Sequence, residues 1–512
     1  MVFVRQRVVL LAAVLVVVVV VVGVALTGVG GGRSGGAAPD NRPISVEVRA
    51  FSPERSVPFG FLGLSLEYPS IEAYAGTNPA ALDPVFLQLV RNLDPGQAPV
   101  FRIGGDTADR TWWPTAGLAR PPGITYAITK RWLEVTRALA HALGARLIVG
   151  LNLEADSPRL AAAEADALLA GVGPGPIRAF ELGNEPDLYA TFPWYSTPDG
   201  RHVTGRPRSY DMASLISDFT RFAAALPGRP LAGPSLGGPK WTRRLAHFLA
   251  VEPRVRVVTL HRYPLQLCYT SRRSPRYPTV GHLLQPAASV GLADSFAPYA
   301  EIARADRLSL RIDELNSVSC GADPSVSKTF ASALWALDTL FEMVRVGVHG
   351  VNIHSFPGAG YELFQLRRVG ERWQAAVAPE YYGLMLFARA APPGARLLAL
   401  DGASSGAVRT WATRDRGGTI RVTMVNSGPR GRVLSVGIAG PKAGRARLER
   451  LTAPSVGAST GVTLAGQSFG ASTSTGRLRD RIRSSALAPS HGRYAVALPA
   501  DSAALLVISP AA

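Results

Sequence analysis

Two glutamates carry the chemistry that can be read first. Glu185 lies in Asn184-Glu185-Pro186 and Glu314 in Asp313-Glu314-Leu315-Asn316, each at the end of a short apolar run. Two carboxylates facing each other about 5–5.5 Å apart suit retaining glycoside hydrolysis, in which one attacks the anomeric carbon and the other protonates the leaving oxygen. Each charge raises the other's pKa, so one can keep its proton near neutral pH and act as the acid. Either glutamate alone reads as well as a surface or ion-paired carboxylate. The pair, with an asparagine before the first, narrows the choice. Other chemistries find less support. There is no H-x-x-x-H pair, no H-E-x-x-H, no cysteine cluster and no P-loop, so neither metal nor cofactor is expected. Gly233-Pro234-Ser235-Leu236-Gly237 has the spacing of a nucleophilic serine elbow, but Gly238-Pro239 follows where the elbow's helix should begin.

The elements that must position such a pair are legible in the apolar pattern. The sequence predicts eight strands, at Phe59–Glu67, Val100–Ile103, Arg146–Leu153, Ala179–Leu182, Leu231–Gly233, Val255–His261, Leu308–Asp313 and Gly350–His354. Helical stretches are predicted between them at Ala80–Leu93, Lys130–Gly144, Arg159–Ala170, Tyr210–Leu226, Trp241–Val251, Val290–Ala305 and Phe330–Val346, with a last one at Tyr381–Ala390. This alternation predicts an α/β fold, a (β/α)8 TIM barrel, with an open doubly wound sheet as the alternative. In a barrel the chemistry lies at the C-terminal ends of the strands. Glu185 then follows strand 4 and Glu314 closes strand 7, and the two face each other across the mouth. After Pro392-Pro393 short alternating runs separated by Gly, Ser and Thr predict a C-terminal all-β sandwich. The expected boundaries are 1–32 for a signal anchor or signal peptide, 33–43 for a linker, 44–58 for a strand joining the β domain, 59–392 for the barrel and 393–512 for the sandwich.

Composition bounds the partners. The chain of 512 residues carries a formal charge of +18, and 51 of its 55 basic residues are arginines scattered along its length. No nucleic-acid-binding motif accompanies them, so nucleic acid is not expected; the charge reads either as compositional bias or as a general attraction to polyanions such as acidic polysaccharide. Arg5 and Arg7 precede the apolar run Val8 to Leu26, long enough to span a bilayer, which predicts an uncleaved membrane helix, with a cleaved signal peptide as the alternative. Either way the body is expected outside the cytoplasm, membrane-anchored or secreted. Two cysteines, Cys268 and Cys320, follow strands 6 and 7, whose loops share one rim; a disulfide is expected, and two separate thiols are the alternative. Arg272, Arg273 and Arg276 with Tyr269 and Tyr277 lie between them, as a lip for an anionic sugar chain or as a solvated basic loop.

The stretches Gly63-Leu64-Ser65-Leu66-Glu67-Tyr68, Phe101-Arg102-Ile103-Gly104-Gly105-Asp106, Glu181 to Asp187, Glu314 to Gly321 and Ala378 to Leu384 resemble glycoside hydrolase family 79 of clan A, the β-glucuronidase and heparanase-like family. The resemblance implies a retaining hydrolase releasing β-linked glucuronic or 4-O-methyl-glucuronic acid from an oligosaccharide or polysaccharide. A β-xylosidase or β-glucosidase, or a silent polysaccharide-binding envelope protein, are the alternatives. It implies Glu185 as acid/base, Glu314 as nucleophile, Asn184 on the sugar's 2-hydroxyl and Tyr263 as hydrogen-bond donor to the nucleophile. Glu67 would accept from sugar hydroxyls or cap a turn. Arg102 would orient Asn184 or Glu314, or form a buried structural ion pair. Asp106 stands where many relatives have Asn and is expected to cap the following turn, with contact to a sugar hydroxyl as the alternative. Tyr361 is the expected donor to the uronate carboxylate, or an aromatic wall of the cleft.

Overall fold

The computed structural model describes residues 42–402, 404–440 and 444–510. Eight parallel strands close into a barrel: β1 Leu62–Glu67, β2 Val100–Gly104, β3 Arg146–Leu151, β4 Ile177–Leu182, β5 Leu231–Leu236, β6 Val255–Arg262, β7 Ser309–Leu315 and β8 Gly350–His354. β8 pairs with β1, Val351 opposite Leu62 and His354 opposite Ser65, which closes the ring and excludes the open sheet. The barrel expectation holds.

Strand periodicity sorts the side chains into layers. Val100, Ile148, Ala179, Ala232 and Val257 form a small buried apolar cluster of their own. Two residues further along the same strands stand Arg102 and Glu181, and four further along β6 stands His261, all without solvent exposure. An apolar plug therefore underlies a charged layer, and that layer forms the floor of the mouth. The alternate residues, such as Phe101, Ile103, Phe180 and Leu182, join the large core under the helices.

The predicted helices are present, though the one expected from Ala80 begins at Pro84 and two are split. Thr129 caps Lys130–Leu143 by accepting from Trp132 N at 3.0 Å, and Gly144 ends it at φ 63°. The stretch predicted as Val290–Ala305 is two helices, Pro286–Asp294 and Ala297–Ala305, because Pro298 is incompatible with a continuous turn onto the carbonyl of Asp294. The one predicted at Trp241–Val251 is likewise split, into Pro239–Thr242 and Leu245–Val251, at Arg243-Arg244. β5 runs past Gly233 to Leu236 with an irregular register after Pro234. A hairpin, Phe364–Val369 with Arg372–Val377, follows β8 and was not expected.

The β domain is one sheet of eleven strands that curls round its own core, so the two faces of the expected sandwich are halves of a continuous sheet. Strand Ile44–Ser56 lies inside it, antiparallel to Arg396–Asp401 and parallel to Arg432–Ala439. The domain is bolted to the barrel's last two helices. Trp411 stacks on Phe341 at 5.1 Å and donates to Glu342, Thr413 donates to the carbonyl of Ala390, and Arg389 pairs with Glu449. The expected membrane helix and linker lie outside the described residues apart from Arg42 and Pro43. Among the described residues no helix is long and apolar enough to cross a membrane.

Candidate active site

Arg102 is the centre of the charged layer. From β2 its guanidinium reaches three elements at once: Nε donates to Glu181 Oε2 on β4 at 2.8 Å, Nη1 to Glu314 Oε2 on β7 at 2.7 Å, and Nη2 to Asn184 Oδ1 beyond β4 at 2.8 Å. Orientation of both expected partners and a buried ion pair are thus the same feature. The fork geometry fixes two planar acceptors in a way that an ammonium would not. Gly104 and Gly105 explain themselves here. A Cβ at Gly104 would collide with the Arg102 guanidinium, and one at Gly105, whose φ is 76°, would collide with the Glu67 carboxylate.

Glu314 accepts from Tyr263 at 2.9 Å on its other oxygen. Burial alone would raise its pKa, but the charges of His354, His261 and Arg102 and the Tyr263 hydroxyl outweigh burial and hold it down at about 2. It is ionised, oriented on both oxygens and 7% exposed at the mouth. Glu185 has a left-handed backbone, φ 49° and ψ 54°, uncommon outside glycine and of the kind that persists when the surroundings impose it. Its amide donates to the Ser235 carbonyl at 3.0 Å, and His261 Nδ1 lies 3.2 Å from its Oε1. Oxygens of Glu185 and Glu314 and a nitrogen of His261 lie within 4.8 Å of one another.

His261 ends the strand predicted at Val255–His261, and the structure places it between the two glutamates and Asp313. Its Nε2 meets Ser235 Oγ at 2.9 Å and Asp313 at 3.4 Å. Burial favours the neutral ring, but Glu314, Asp313 and Glu185 overcome it and raise the pKa to about 10. Arg102 pairs with one carboxylate of each carboxylate–histidine cluster, Glu314 in Glu185/His261/Glu314 and Glu181 in Glu181/His261/Asp313.

Of the two roles open to each, Glu67 takes the turn cap and Asp106 faces the mouth. Glu67 caps the 3-10 turn Gly105–Arg110, accepting from Thr107 N at 2.9 Å and from the Thr107 hydroxyl, while Oε1 faces His354 at 3.5 Å. Asp106 makes no cap hydrogen bond. Its first-turn position aims the carboxylate into the mouth instead, where Oδ1 accepts from Asn184 Nδ2 at 3.2 Å. Burial, then the charges of Glu67, Glu185 and Glu314, push it up to about 7. Tyr361, 7% exposed, packs its ring 6.0 Å from Tyr263 and 5.9 Å from His354 on the wall beside Glu314.

One buried carboxylate had no sequence signal. Asp109 accepts from Leu153 N at 2.9 Å, Glu154 N at 3.1 Å, Asn184 N at 2.7 Å and the Tyr189 hydroxyl at 2.6 Å. It ties the loops after β3 and β4 to the loop after β2, and so places Asn184 and Glu185. The loops after β6 and β7 are tied by a short parallel ladder, Leu265–Gln266 with Val318–Ser319, and then by the disulfide Cys268–Cys320. A separate cleft of about 770 Å³, between Glu72–Val85 and Arg368–Trp373, lies apart from this constellation.

Residues 409–505 match the Glycosyl hydrolase family 79 C-terminal beta domain. The resemblance to family 79 holds. A β-glucuronidase of Neurospora crassa is 22% identical over 393 residues, 68% of this chain; the match spans 66% of that protein, just under two thirds of its length. Among solved structures, a 4-O-α-L-rhamnosyl-β-D-glucuronidase from Fusarium oxysporum 12S superposes with a TM-score of 0.70 at 20% identity, covering 90% of this chain and 99% of that one. A GH51 arabinofuranosidase from Xanthomonas axonopodis pv. citri has a TM-score of 0.65 at 16% identity over 91% and 100%. The chain thus has the architecture of a glycosidase, shared with family 79 and with more distant clan A members.

Proposed function

We propose that this protein is a retaining glycosidase that releases β-linked glucuronic acid, or its 4-O-methyl form, from a glycan. The observation that carries the reading is the pair itself, Glu185 and Glu314 with oxygens within 4.8 Å across the mouth and Glu314 held ionised. The separation fits direct attack by a carboxylate rather than a water held between two carboxylates. Glu314 attacks C1 while Glu185 gives its proton to the glycosidic oxygen, which leaves as an alcohol. The sugar is then an ester of Glu314. Glu185, now a carboxylate, takes a proton from water, the hydroxide attacks C1, and Glu314 departs as carboxylate. Asn184, fixed by Arg102, presents its amide to the 2-hydroxyl, and Asp106 accepts from a neighbouring hydroxyl. Tyr361 donates to the uronate carboxylate. The Neurospora and Fusarium relatives support the glucuronide specificity, and the disulfide supports an oxidising location outside the cytoplasm.

A panel of chromogenic glycosides tests this. The expected result is turnover of the β-glucuronide, weak or no turnover of the β-glucoside, β-xyloside and α-arabinofuranoside, and at least a thousandfold loss in Glu314→Ala. Equal activity in wild type and Glu314→Ala, or preference for a neutral glycoside, contradicts it.

A further inference from the structure

Two aromatic side chains stand in solvent on the rim of the mouth, and the catalytic scheme above uses neither. Tyr269 is 71% exposed and Phe192 37%, and their rings meet edge to face at 5.7 Å. Each comes from a loop that descends directly from the site. Phe192 follows Glu185 by seven residues through a compact turn, with Leu188 N bonded to the Glu185 carbonyl and Phe192 N to the Leu188 carbonyl. That turn is pinned at Asp187, which accepts from Gly237 N at 3.0 Å and Gly238 N at 2.8 Å beyond β5.

Tyr269 follows Cys268, so the disulfide to the loop after Glu314 ends one residue before it. Its own φ of 53° is left-handed, a conformation that a non-glycine residue adopts rarely. Arg276 ties the far end of the same loop back to the site, donating to the carbonyls of Tyr263 at 3.3 Å and Pro264 at 3.4 Å. An exposed aromatic pair on loops tied this closely to the site is placed to meet what the site binds.

The chemistry of the pair says which ligand. The group that protonates the leaving oxygen stands on the leaving-group side of the sugar, and the loop that carries Glu185 carries Phe192. A pyranose ring presents an axial C–H face, polarised positive, to the negative face of an aromatic ring. We propose that Phe192 and Tyr269 form a stacking platform for the first sugar on the leaving-group side of the scissile bond, with the Cys268–Cys320 disulfide holding Tyr269 in place. The proposal rests on the glycosidase reading above and adds what lies beyond the cleaved bond.

The test compares two substrates that differ only in what leaves: a β-glucuronyl-1,6-galactose disaccharide and β-glucuronyl fluoride, whose leaving group has no ring. The ratio of their kcat/KM values is expected to drop at least about tenfold in the Phe192→Ala, Tyr269→Ala double variant, and in the same direction in Cys268→Ser, Cys320→Ser. A merely structural role lowers both rates together. An unchanged ratio in the double aromatic variant overturns the platform. If wild type hydrolyses neither substrate, the glucuronidase reading has failed, and the platform is then read without turnover. Saturation-transfer NMR with β-1,6-galactobiose is expected to give a signal in wild type that the double variant loses; a signal retained by the double variant, or absent from wild type, overturns it.

Discussion

Arg102 holds more of this site than either glutamate does. It is fully buried and compensates Glu181 and Glu314 together while fixing Asn184. Replacing it by Met leaves those carboxylates buried without their cation, a loss of the order of 3–5 kcal/mol. Arg102→Met is therefore expected to fail in thermal melting before it can be assayed. Arg102→Lys keeps the charge and loses the fork, so it is expected to fold with a lower midpoint and a much reduced kcat. A second expectation concerns Tyr263, whose hydroxyl stabilises the charged form of Glu314. Tyr263→Phe removes a charge-assisted hydrogen bond worth about 1.5–3 kcal/mol, so kcat/KM should fall by about tenfold to a hundredfold. Because the lost bond favoured the carboxylate, the pKa of Glu314 rises and the acid limb of the pH–rate profile moves upward. An acid limb that stays in place would show that the hydroxyl does not act on Glu314.

At the scale of elements, the strands were legible because the pattern of a (β/α)8 barrel repeats eight times, and the polar residues that end its strands are few. Glu185, Glu314 and Asn184 could be placed by counting strands. Asp109 could not, because its partners are backbone amides of two other loops, and an amide leaves no mark in a sequence. The sequence leaves Asp106 and Glu67 each with two roles for a related reason. Which of two carboxylates caps the turn depends on the left-handed Gly105, which brings Glu67 over Thr107 and turns Asp106 to the mouth. The split before Pro298 has a sequence signal, the proline itself, which an apolar pattern running through it masks. Asp109→Ala strands four donors and is expected to cost about 3 kcal/mol or more in chemical denaturation, with kcat lost in the fraction that remains folded. A shift within experimental error would mean that the loops hold Glu185 without it. The disulfide closes a separation of 52 residues, for which chain entropy gives about 4 kcal/mol. Reduction is expected to lower the melting midpoint by several degrees, which scanning calorimetry with and without reductant reads directly.

For the whole molecule, burial of acidic groups sets the pH of greatest stability. Asp94 is pushed up to about 8 by burial, Asp338 to about 7 by burial, and Glu154 to about 9 by burial and Asp109. In each case the folded chain binds a proton that the unfolded chain has released by about pH 4–5, so stability falls as pH rises through that window. His261 acts in the same sense. Its stabilisation is complete below the unfolded value of 6.5 and is lost as pH rises through about 10. Glu314 acts oppositely, but only below about 4.5, where its stabilisation is lost as pH falls towards about 2. The melting midpoint at 0.15 M salt is therefore expected to be higher at pH 5 than at pH 9. A midpoint that rises from pH 5 to pH 9 would show that self-repulsion of the +18 charge, rather than these buried groups, dominates.

In the proposed mechanism Glu314 forms a covalent bond to a glucuronyl group. Incubation with 2-deoxy-2-fluoro-β-D-glucuronyl fluoride, followed by proteolysis and mass spectrometry, tests it most directly. The slowed second step should trap one 2-fluoroglucuronyl group on the peptide that contains Glu314, and none in Glu314→Ala. An adduct on any other residue, or fluoride release with no adduct, would contradict the assignment.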